Sequence, residues 1–384
     1  MPIQRAKPRF TEVKNVSNIT ANQLDIGQIG GRRNILINGA MQVAQRSTSE
    51  TGLGASSGYF TLDRFRITSG NNAGRFTMSQ SSVTDLPGFA NALKMDCTTA
   101  DTSTDAAENL RLQTLLEGQD LQQLKKGTSS AEKFTISFYV KGNASATYML
   151  ELFDGDNSRH NTQQFAVTSS WNRISLTFAG DTTGAFDDDN ALSLYLNFWL
   201  HTGSNFTSGT YTANTWASNT NANRAVGISS FFDSTDRTLE ITGLQMEIGS
   251  QATPFEHRSF GEELALCQRY YSREEAATGA AYKRYLIGSW SSTTGFEGLI
   301  PLSTPLRTTP TLETTGTAAN YAVFSADSVD ACTSLVITND ADAGTDNRAV
   351  SINITTSGGG VAGEAGTLLG NNDTDNFLAL DAEL

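Results

Sequence analysis

Cysteine and histidine are scarce in this sequence, with three of each in 384 residues. The cysteines are odd in number and far apart, at Cys97, Cys267 and Cys332. This spacing disfavours a disulfide framework or a cysteine-type zinc site, and it fits a chain that folds in a reducing cytoplasm. The histidines show no metal-ligand spacing; they are His160, His201 and His257.

Long hydrophobic runs are missing as well. No stretch approaches the ~20 apolar residues that a membrane helix needs. The basic N-terminal residues have no apolar segment behind them, so we expect neither membrane insertion nor a secretory signal. Motifs of the P-loop and His-Glu-x-x-His types are also absent from the sequence. We therefore expect no enzymatic activity and no catalytic residues.

The composition favours a β protein that does not bind nucleic acid. The net charge of -13 argues against a nucleic-acid partner. Only 38% of residues are hydrophobic, and the chain contains 34 glycines among many Ser, Thr, Asn and Asp residues. Such a mixture is typical of many short strands joined by turns.

Positive charge is concentrated at the start of the chain. Residues 1–33 carry six basic and two acidic side chains, a net charge of +4 within a chain of net charge -13. A basic segment next to an acidic body is typical of an interaction tail. We predict an extended arm over residues 1–33 that anchors the chain to a partner through Arg5, Lys7, Arg9 and Lys14. A disordered solubilising leader is the alternative.

The next 225 residues, 34–258, alternate apolar and polar positions in short runs, as half-buried strands do. The sequence Asp154-Gly155 predicts a hairpin turn. About eight strands with glycine-rich corners predict a jelly-roll sandwich over residues 34–258. The runs lie at 34–38, 63–67, 110–113, 134–140, 148–153, 171–178, 192–200 and 238–248.

A short helix and a second β region follow. Ser259-Phe260-Gly261-Glu262 matches a capping box, and it predicts a helical linker within residues 259–285. Leu264, Cys267 and Tyr271 share one face of that helix, which packs either on its own chain or on copies of itself. Short strand candidates from residue 286 onward predict a small C-terminal β-sandwich over residues 286–384.

Several sequence blocks resemble a family of tailed-bacteriophage fibre and virion structural proteins. The segment 34–46 is similar to the opening of that family, and 59–65 and 115–121 are similar to later blocks. The most characteristic stretch is 243–258, which continues through 261–271, and the ending 377–384 is also similar. The resemblance implies a jelly roll like that of carbohydrate-binding modules and an oligomer, often a homotrimer.

Two groups of residues are candidates for binding. Acidic turns offer hard oxygen ligands, so a structural calcium ion is an option at Asp154, Asp156, Asp187 and Asp189. The alternative for these turns is solvated loops with Asx-type hydrogen bonds, and we expect no cofactor. Aromatic residues in polar loop sequence are candidates for glycan binding, and here they are Tyr211 and Trp216. Anchoring of the loop against the sandwich is an equal alternative for both.

These observations predict a structural component of a phage tail, a fibre or spike subunit assembled in the host cytoplasm. Its arm would bind other virion proteins, and its β domains would contact a glycan or receptor on the host surface. The first alternative is a capsid decoration or head-fibre protein with a purely architectural role. A weaker alternative is a glycan depolymerase, because the two acids that flank a sugar bond come from distant strands and leave no spacing signal.

Overall fold

The computed structural model describes residues 32–276, 280–326, 328–338 and 349–384. The chain divides into two compact units, residues 1–259 and 260–384, and each is described by itself. The predicted anchoring residues Arg5, Lys7, Arg9 and Lys14 lie outside the described residues. Among the described helices, none is both long and apolar enough to cross a membrane.

The first unit is a sandwich of two antiparallel sheets. The six-stranded sheet has the order β1-β4-β5-β13-β7-β10, and the seven-stranded sheet has the order β12-β9-β8-β11-β6-β3-β2. The strands are β1 Ser49–Leu53, β2 Gly58–Tyr59, β3 Arg66–Gly70, β4 Arg75–Ser82, β5 Asn91–Thr99, β6 Asn109–Glu117, β7 Phe134–Gly142, β8 Ala146–Asp154, β9 Arg159–Val167, β10 Asn172–Phe178, β11 Leu192–Thr202, β12 Ala217–Ser218 and β13 Thr238–Ile248.

The alternation in the sequence becomes the core between these sheets. Ile136, Phe138 and Val140 of β7 point inward, opposite Leu196 and Phe198 of β11. Rings in the core meet edge to face, as Phe138 and Phe198 do at 5.2 Å between centroids. Short helices complete the unit: 3₁₀ turns at Gly118–Leu124 and Asn221–Asn223, and α1 at Ser204–Thr207. The jelly-roll sandwich predicted from the sequence is confirmed.

The first characteristic block, residues 34–46, does not form the strand predicted over 34–38. Its first residues lie beside β13, where the Ile35 N–H donates to the Met246 carbonyl at 2.9 Å, and bends and a turn follow over residues 36–40. The Asn34 side chain accepts from the Met246 N–H at 3.0 Å and donates to the Leu244 carbonyl at 3.1 Å. Glu256 accepts the Arg33 and Asn34 N–H groups at 2.7 and 2.6 Å. Residues in two of the blocks that carry the family resemblance thus hold the start of the sandwich against β13.

The second unit is also built mainly from β-strands. It begins with α2 Phe260–Gln268 and contains a three-stranded sheet, β14-β22-β17, and a 3₁₀ turn at Ala318–Asn320. Six strands form a closed barrel in the order β15-β16-β20-β19-β18-β21. The strands are β14 Tyr271–Glu275, β15 Arg284–Trp290, β16 Gly295–Pro301, β17 Thr311–Thr314, β18 Tyr321–Ser325, β19 Ser328–Ile337, β20 Ala349–Thr356, β21 Ala365–Gly370 and β22 Phe377–Asp381.

The six-stranded sheet of the second unit is a closed barrel, whereas we expected a small sandwich for residues 286–384. A row of paired glycines crosses three neighbouring strands, with Gly288 opposite both Gly298 and Gly366. A Cβ atom on Gly288 would lie 2.0 Å from the Glu297 carbonyl oxygen. Only glycine therefore fits this close approach, and such kinks let a short sheet curve until its edges pair. The second β region is present, and its six-stranded sheet closes on itself, so that sheet has no edge strand.

The predicted helical linker over residues 259–285 is only partly helical. The helix α2 ends at Gln268, and residues 271–275 form β14, which pairs with β22. Within the single chain Cys267 and Tyr271 are 0% and 1% exposed, whereas Leu264 is partly exposed. Of the three oligomerisation candidates, only Leu264 is therefore accessible to a second copy, and the oligomerisation role stays a prediction.

Candidate functional site

One face of the seven-stranded sheet points away from the core and carries aromatic and polar side chains. We call it the polar sheet face, and strand register arranges it in three rows. The central row contains Tyr59, Arg66, Gln113, Asn197, Glu151 and Thr162. The second row contains Thr68, Arg111, Trp199, Met149 and Gln164. The third row contains Leu115, Tyr195, Phe153 and His160.

Hydrogen bonds join the central row from strand to strand. Arg66 Nη1 donates to Gln113 Oε1 at 3.1 Å, and Gln113 Nε2 donates to Asn197 Oδ1 at 2.5 Å. Asn197 Nδ2 then donates to Glu151 Oε2 at 2.8 Å. Each amide in this chain is held by both neighbours, so the row is a fixed polar surface.

The hydrogen-bonded series that begins at Arg66 ends at the carboxylate of Glu151. This carboxylate is fully buried. Arg224 binds it through two nitrogens, at 2.6 and 2.9 Å, and Trp199 Nε1 donates to it at 2.7 Å. Burial alone raises the pKa of Glu151, but the paired charge and hydrogen bonds of Arg224 outweigh it and hold this pKa below its ordinary value. Glu151 is therefore ionised at neutral pH, and Arg224 already balances its charge.

The loop over residues 203–230 covers part of the polar sheet face. Phe206 packs on Trp199 with ring centroids 5.0 Å apart, and Ala225 is buried in the same cluster. Arg224 enters from this loop and lies 4.6 Å from the ring centroid of Phe153. Trp199 is consequently 0% exposed, so its ring is structural and has no face left for a ligand.

The other part of the polar sheet face is open to solvent. Tyr195 and Phe153 are half-buried, with ring centroids 5.5 Å apart, and Arg66 and Arg111 are half-buried beside them. The Arg111 guanidinium lies 4.8 Å from the ring centroid of Trp199. We call Tyr195, Phe153, Arg66 and Arg111 the open patch.

Arg111 lacks a partner for its charge within the open patch. Its buried Nε has no hydrogen-bond partner, and no described carboxylate lies within ion-pair distance of it. Burial and the neighbouring charge of Arg224 lower the pKa of Arg111 to about 10. The group remains a cation at neutral pH, and its surroundings penalise that charge until an anion or a strong acceptor approaches.

The two aromatic residues predicted to bind glycans make internal contacts instead. Tyr211 accepts the Gln164 N–H at its hydroxyl at 3.0 Å and packs on the cluster around Trp199. Trp216 Nε1 donates to the Ala179 carbonyl at 2.7 Å, and its ring packs on the main core. These contacts favour the loop-anchoring alternative, while a glycan-binding role for both residues stays an untested prediction.

The acidic turns are brought together, but around a lysine. Lys126 is buried and lies 2.5 Å from Asp154 Oδ2 and 3.4 Å from Asp181 Oδ2. Its Nζ also donates to the Gly184 carbonyl at 2.6 Å and to the Thr183 carbonyl at 3.0 Å. An ammonium group therefore lies against Asp154, one of the four calcium candidates, and its charge opposes a cation bound there.

The other three calcium candidates are exposed and serve loop geometry. Asp156 accepts the Asp187 N–H at 3.1 Å, and Asp189 accepts the Ala191 N–H at 2.9 Å. The Asp189 bond is the local Asx-type bond of the alternative that we considered from the sequence, whereas the Asp156 bond joins two separate turns. These contacts favour the loop alternative, and a calcium ion at Asp154, Asp156, Asp187 and Asp189 stays a prediction.

No family model matches the sequence, and no curated protein is detectably similar to it. Solved structures with similar folds include the enzymatically active domain of tailspike protein 4 from bacteriophage CBA120, with 11% identity and a TM-score of 0.29, covering 56% of this chain but only 21% of that one. A structure of the carbohydrate-binding module CBM4 has 11% identity and a TM-score of 0.29, covering 55% of this chain and 97% of the module. A family 11 carbohydrate-binding module of a Clostridium thermocellum cellulase has 16% identity and a TM-score of 0.26, covering 56% and 99%.

Proposed function

We propose that this chain is a structural subunit of a phage tail, a fibre or spike protein whose jelly roll binds a glycan on the host surface. The family resemblance of residues 34–46 and 243–271 supports the tail role, and the +4 charge of residues 1–33 supports an anchoring arm. The open patch supports glycan binding, and it is the observation that carries that part of the proposal.

The open patch has the two chemical features that a sugar ligand requires. The rings of Tyr195 and Phe153 offer apolar surface to the carbon-bound hydrogens of a pyranose ring. Arg111 and Arg66 offer fixed hydrogen-bond donors beside the rings. Because the sheet below is held by the central row, a ligand would lose little free energy in ordering this surface.

The charge of the patch favours an acidic glycan. Arg66 and Arg111 have no carboxylate partner among the described residues, whereas Glu151 is already neutralised by Arg224. A guanidinium pairs with a carboxylate or sulfate through two parallel hydrogen bonds. We therefore expect sugars bearing carboxylate or sulfate groups to bind more tightly than neutral ones.

The composition of the rows supports binding over cleavage. A glycoside hydrolase places two carboxyl groups on either side of the bond that breaks. The three rows of the polar sheet face contain one carboxylate, Glu151, which is buried and fully hydrogen-bonded. We propose a binding protein without enzymatic activity.

We also propose that the subunit is a homotrimer on the virion tail. Large apolar side chains are exposed on neighbouring barrel strands, with Ile287 77% and Leu299 58% exposed and directly paired. Exposed apolar pairs of this kind are typical of protein contacts. Closed cyclic symmetry buries the same patch once in every copy.

A glycan array tests the recognition function. The intact chain is applied to acidic and neutral glycans, and the best ligand is titrated against variants. We expect Tyr195→Ala to weaken binding roughly fivefold or more, since a central aromatic anchor is typically worth over ~1 kcal/mol. Tyr282→Ala, at a tyrosine that is 59% exposed in the second unit, is the matched control. Binding that survives Tyr195→Ala but is lost in Tyr211→Ala would contradict the open patch.

Deletion of residues 2–33 tests the anchoring arm. We expect the truncated chain to keep its folded β domains and its glycan binding, but to be absent from purified particles. Circular dichroism confirms the fold, and immunoblots of purified virions measure incorporation. Normal incorporation of the truncated chain would contradict the arm, and labelling over the capsid rather than the tail would favour the decoration-protein alternative.

A further inference from the structure

A cluster of three ionisable side chains lies in the sandwich, apart from the open patch. Asp101 follows β5, Glu108 precedes β6, and His201 belongs to β11. Their ligand atoms all lie within 4.8 Å of one another. All three residues are buried, with exposed fractions of 6%, 3% and 1%. The spacing along the chain gives no hint of this cluster, because three different strands bring its members together.

The histidine is held in the orientation of a metal ligand. Its Nε2 lies 3.0 Å from Glu108 Oε2, and its Nδ1 lies 2.7 Å from Ser230 Oγ. Ser230 Oγ also accepts the Phe232 N–H at 3.0 Å, and the Phe232 ring packs against His201 with centroids 5.1 Å apart. When Nδ1–H donates to Ser230 Oγ, the Nε2 lone pair faces Glu108 and is available to a metal ion. A hydrogen bond from the other ring nitrogen is usual for a metal-binding histidine.

The carboxylates are also fixed by the backbone around them. Asp101 Oδ2 accepts the Ala73 N–H at 2.9 Å, and its Oδ1 accepts the Ser103 N–H at 3.3 Å. Each of these oxygens retains a further lone pair. The loop between β5 and β6 is tied to β11, since Gly203 N–H donates to the Glu108 carbonyl at 3.0 Å.

The charge of the cluster is unbalanced. Among the residues that the structure describes, His201 is the one ion-pair partner of Glu108, and Asp101 has none. Two carboxylates buried so close together are costly in a low-dielectric interior unless positive charge balances them. A dication balances both.

A cavity lies beside the histidine of the cluster. Its volume is about 340 Å³, and His201, Thr202 and Ser230 line it together with residues of α1, whereas neither carboxylate does. Hydroxyl and backbone groups dominate this lining, so the cavity accommodates water. Solvent therefore reaches one side of the imidazole ring.

We propose that Asp101, Glu108 and His201 bind a divalent transition-metal ion of the zinc class. One imidazole nitrogen with two carboxylates suits zinc or manganese better than calcium, which prefers six to eight oxygens. The bound ion joins the β5–β6 loop to β11. This site does not involve the open patch, so it stands or falls independently of glycan binding.

Metal titration of the full chain tests this site. The protein is stripped with a chelator, dialysed, and titrated with Zn²⁺ by calorimetry, with Ca²⁺ in parallel. We expect one Zn²⁺ per chain and a rise in Tm of roughly 5–10 °C at 100 times Kd. Under the same conditions we expect Ca²⁺ to produce no such rise.

Matched variants locate the ion. We expect His201→Gln and Glu108→Gln each to abolish the Zn²⁺-dependent rise in Tm, and His257→Gln, at an exposed histidine, to keep it. Should either variant fail to fold, anomalous scattering at the zinc edge from crystals of the wild-type chain places the ion directly. Density between His201 Nε2 and the two carboxylates would support the site. Absence of Zn²⁺ binding by the wild-type chain, or loss of binding in His257→Gln alone, would overturn it.

Discussion

The two units place their charged and apolar side chains in opposite ways. In the sandwich, many charged side chains are buried, and two ion pairs are among them: Lys126 with Asp154, and Arg224 with Glu151. In the second unit the described residues include one buried charged side chain, Glu263, and it lies on α2 rather than in the barrel. Conversely, the exposed large hydrophobic side chains of the described residues all belong to the second unit: Phe260, Tyr282, Ile287, Leu299, Val329, Val336 and Val361.

This contrast suggests two different surfaces for two different partners. A buried ion pair costs desolvation energy, and it is retained where it fixes polar groups in one arrangement, as Arg224 and Glu151 do beneath the open patch. Apolar groups left in water lose free energy until another surface covers them, as the barrel pair Ile287 and Leu299 would in an oligomer. The sandwich is therefore suited to a polar ligand and the barrel to protein contacts.

Among the tests of this contrast, we expect the largest change in stability when the buried Lys126 is replaced. We expect Lys126→Ala to lower the free energy of unfolding of the sandwich by about 3–5 kcal/mol, because it leaves Asp154 buried without a cation, whereas Asp181 keeps its ion pair with Arg159. Lys125→Ala is the matched control, since the Lys125 side chain is 54% exposed and its ion pair with Glu132 lies at the surface. We expect that change to cost at most about 1 kcal/mol.

Two buried thiols, one in each unit, allow the unfolding of the two units to be followed separately. Burial raises the pKa of Cys97 to about 11 and that of Cys332 to about 12, so both react slowly while folded. In pulsed alkylation along a urea gradient, we expect Lys126→Ala to shift the midpoint for Cys97, in the sandwich, and to leave that for Cys332, in the barrel, unchanged. A shift of both midpoints together would show that the units unfold as one.

A charge on the barrel surface should have an intermediate effect, on assembly rather than on folding. We expect Ile287→Asp to dissociate the proposed trimer, because each copy would bring an unpaired carboxylate into the apolar contact. Within the monomer the side chain is 77% exposed, so the stability of the barrel should change by only about 0.5 kcal/mol. Analytical ultracentrifugation measures the mass of the assembly. Ser82→Asp, at an exposed position of the sandwich, adds the same charge and should leave the mass unchanged.

The smallest effect should be the pH dependence of the sandwich. Burial lowers the pKa of His160 below its ordinary value of 6.5. On acidification, the unfolded chain therefore protonates His160 at a higher pH than the folded chain does. The contribution of neutral His160 to the stability of the sandwich is complete above pH 6.5, and it is lost as the pH falls through the pKa of His160 in the folded chain. The pKa of Glu151 lies below its ordinary value of 4.5, so Glu151 does not contribute to the pH dependence of stability around the pKa of histidine.

Fluorescence can follow this pH effect in one unit alone. In a Trp290→Phe chain, the remaining tryptophans all lie in the sandwich, and residues 260–384 contain no histidine. We expect the Tm of the sandwich to fall between about pH 7.5 and pH 5.5, and less so in His160→Gln. His257→Gln is the control, because that side chain is exposed. An equal decrease in all three chains would assign the effect to other groups.

Much of the fold could be predicted from the sequence, but little of the candidate site. Apolar alternation marks β6, β7, β8, β10, β11 and β13, because each buries one face. Strand register does not appear in the sequence, so nothing indicated that Arg66, Gln113, Asn197 and Glu151 form one row. The sequence contains two signals of the polar sheet face: Arg111 lies between two leucines, and Glu151 interrupts an apolar strand. The closed barrel could not be predicted either, because strand register also determines which glycines are paired.

The most direct test of the recognition function is a crystal structure of the full chain with the tightest-binding acidic oligosaccharide from the array. We predict density for a sugar ring over Tyr195, with its carboxylate or sulfate within hydrogen-bond distance of the Arg111 guanidinium. A ligand seated instead on Tyr211 and Trp216, or on the barrel, would contradict the assignment of glycan binding to the open patch.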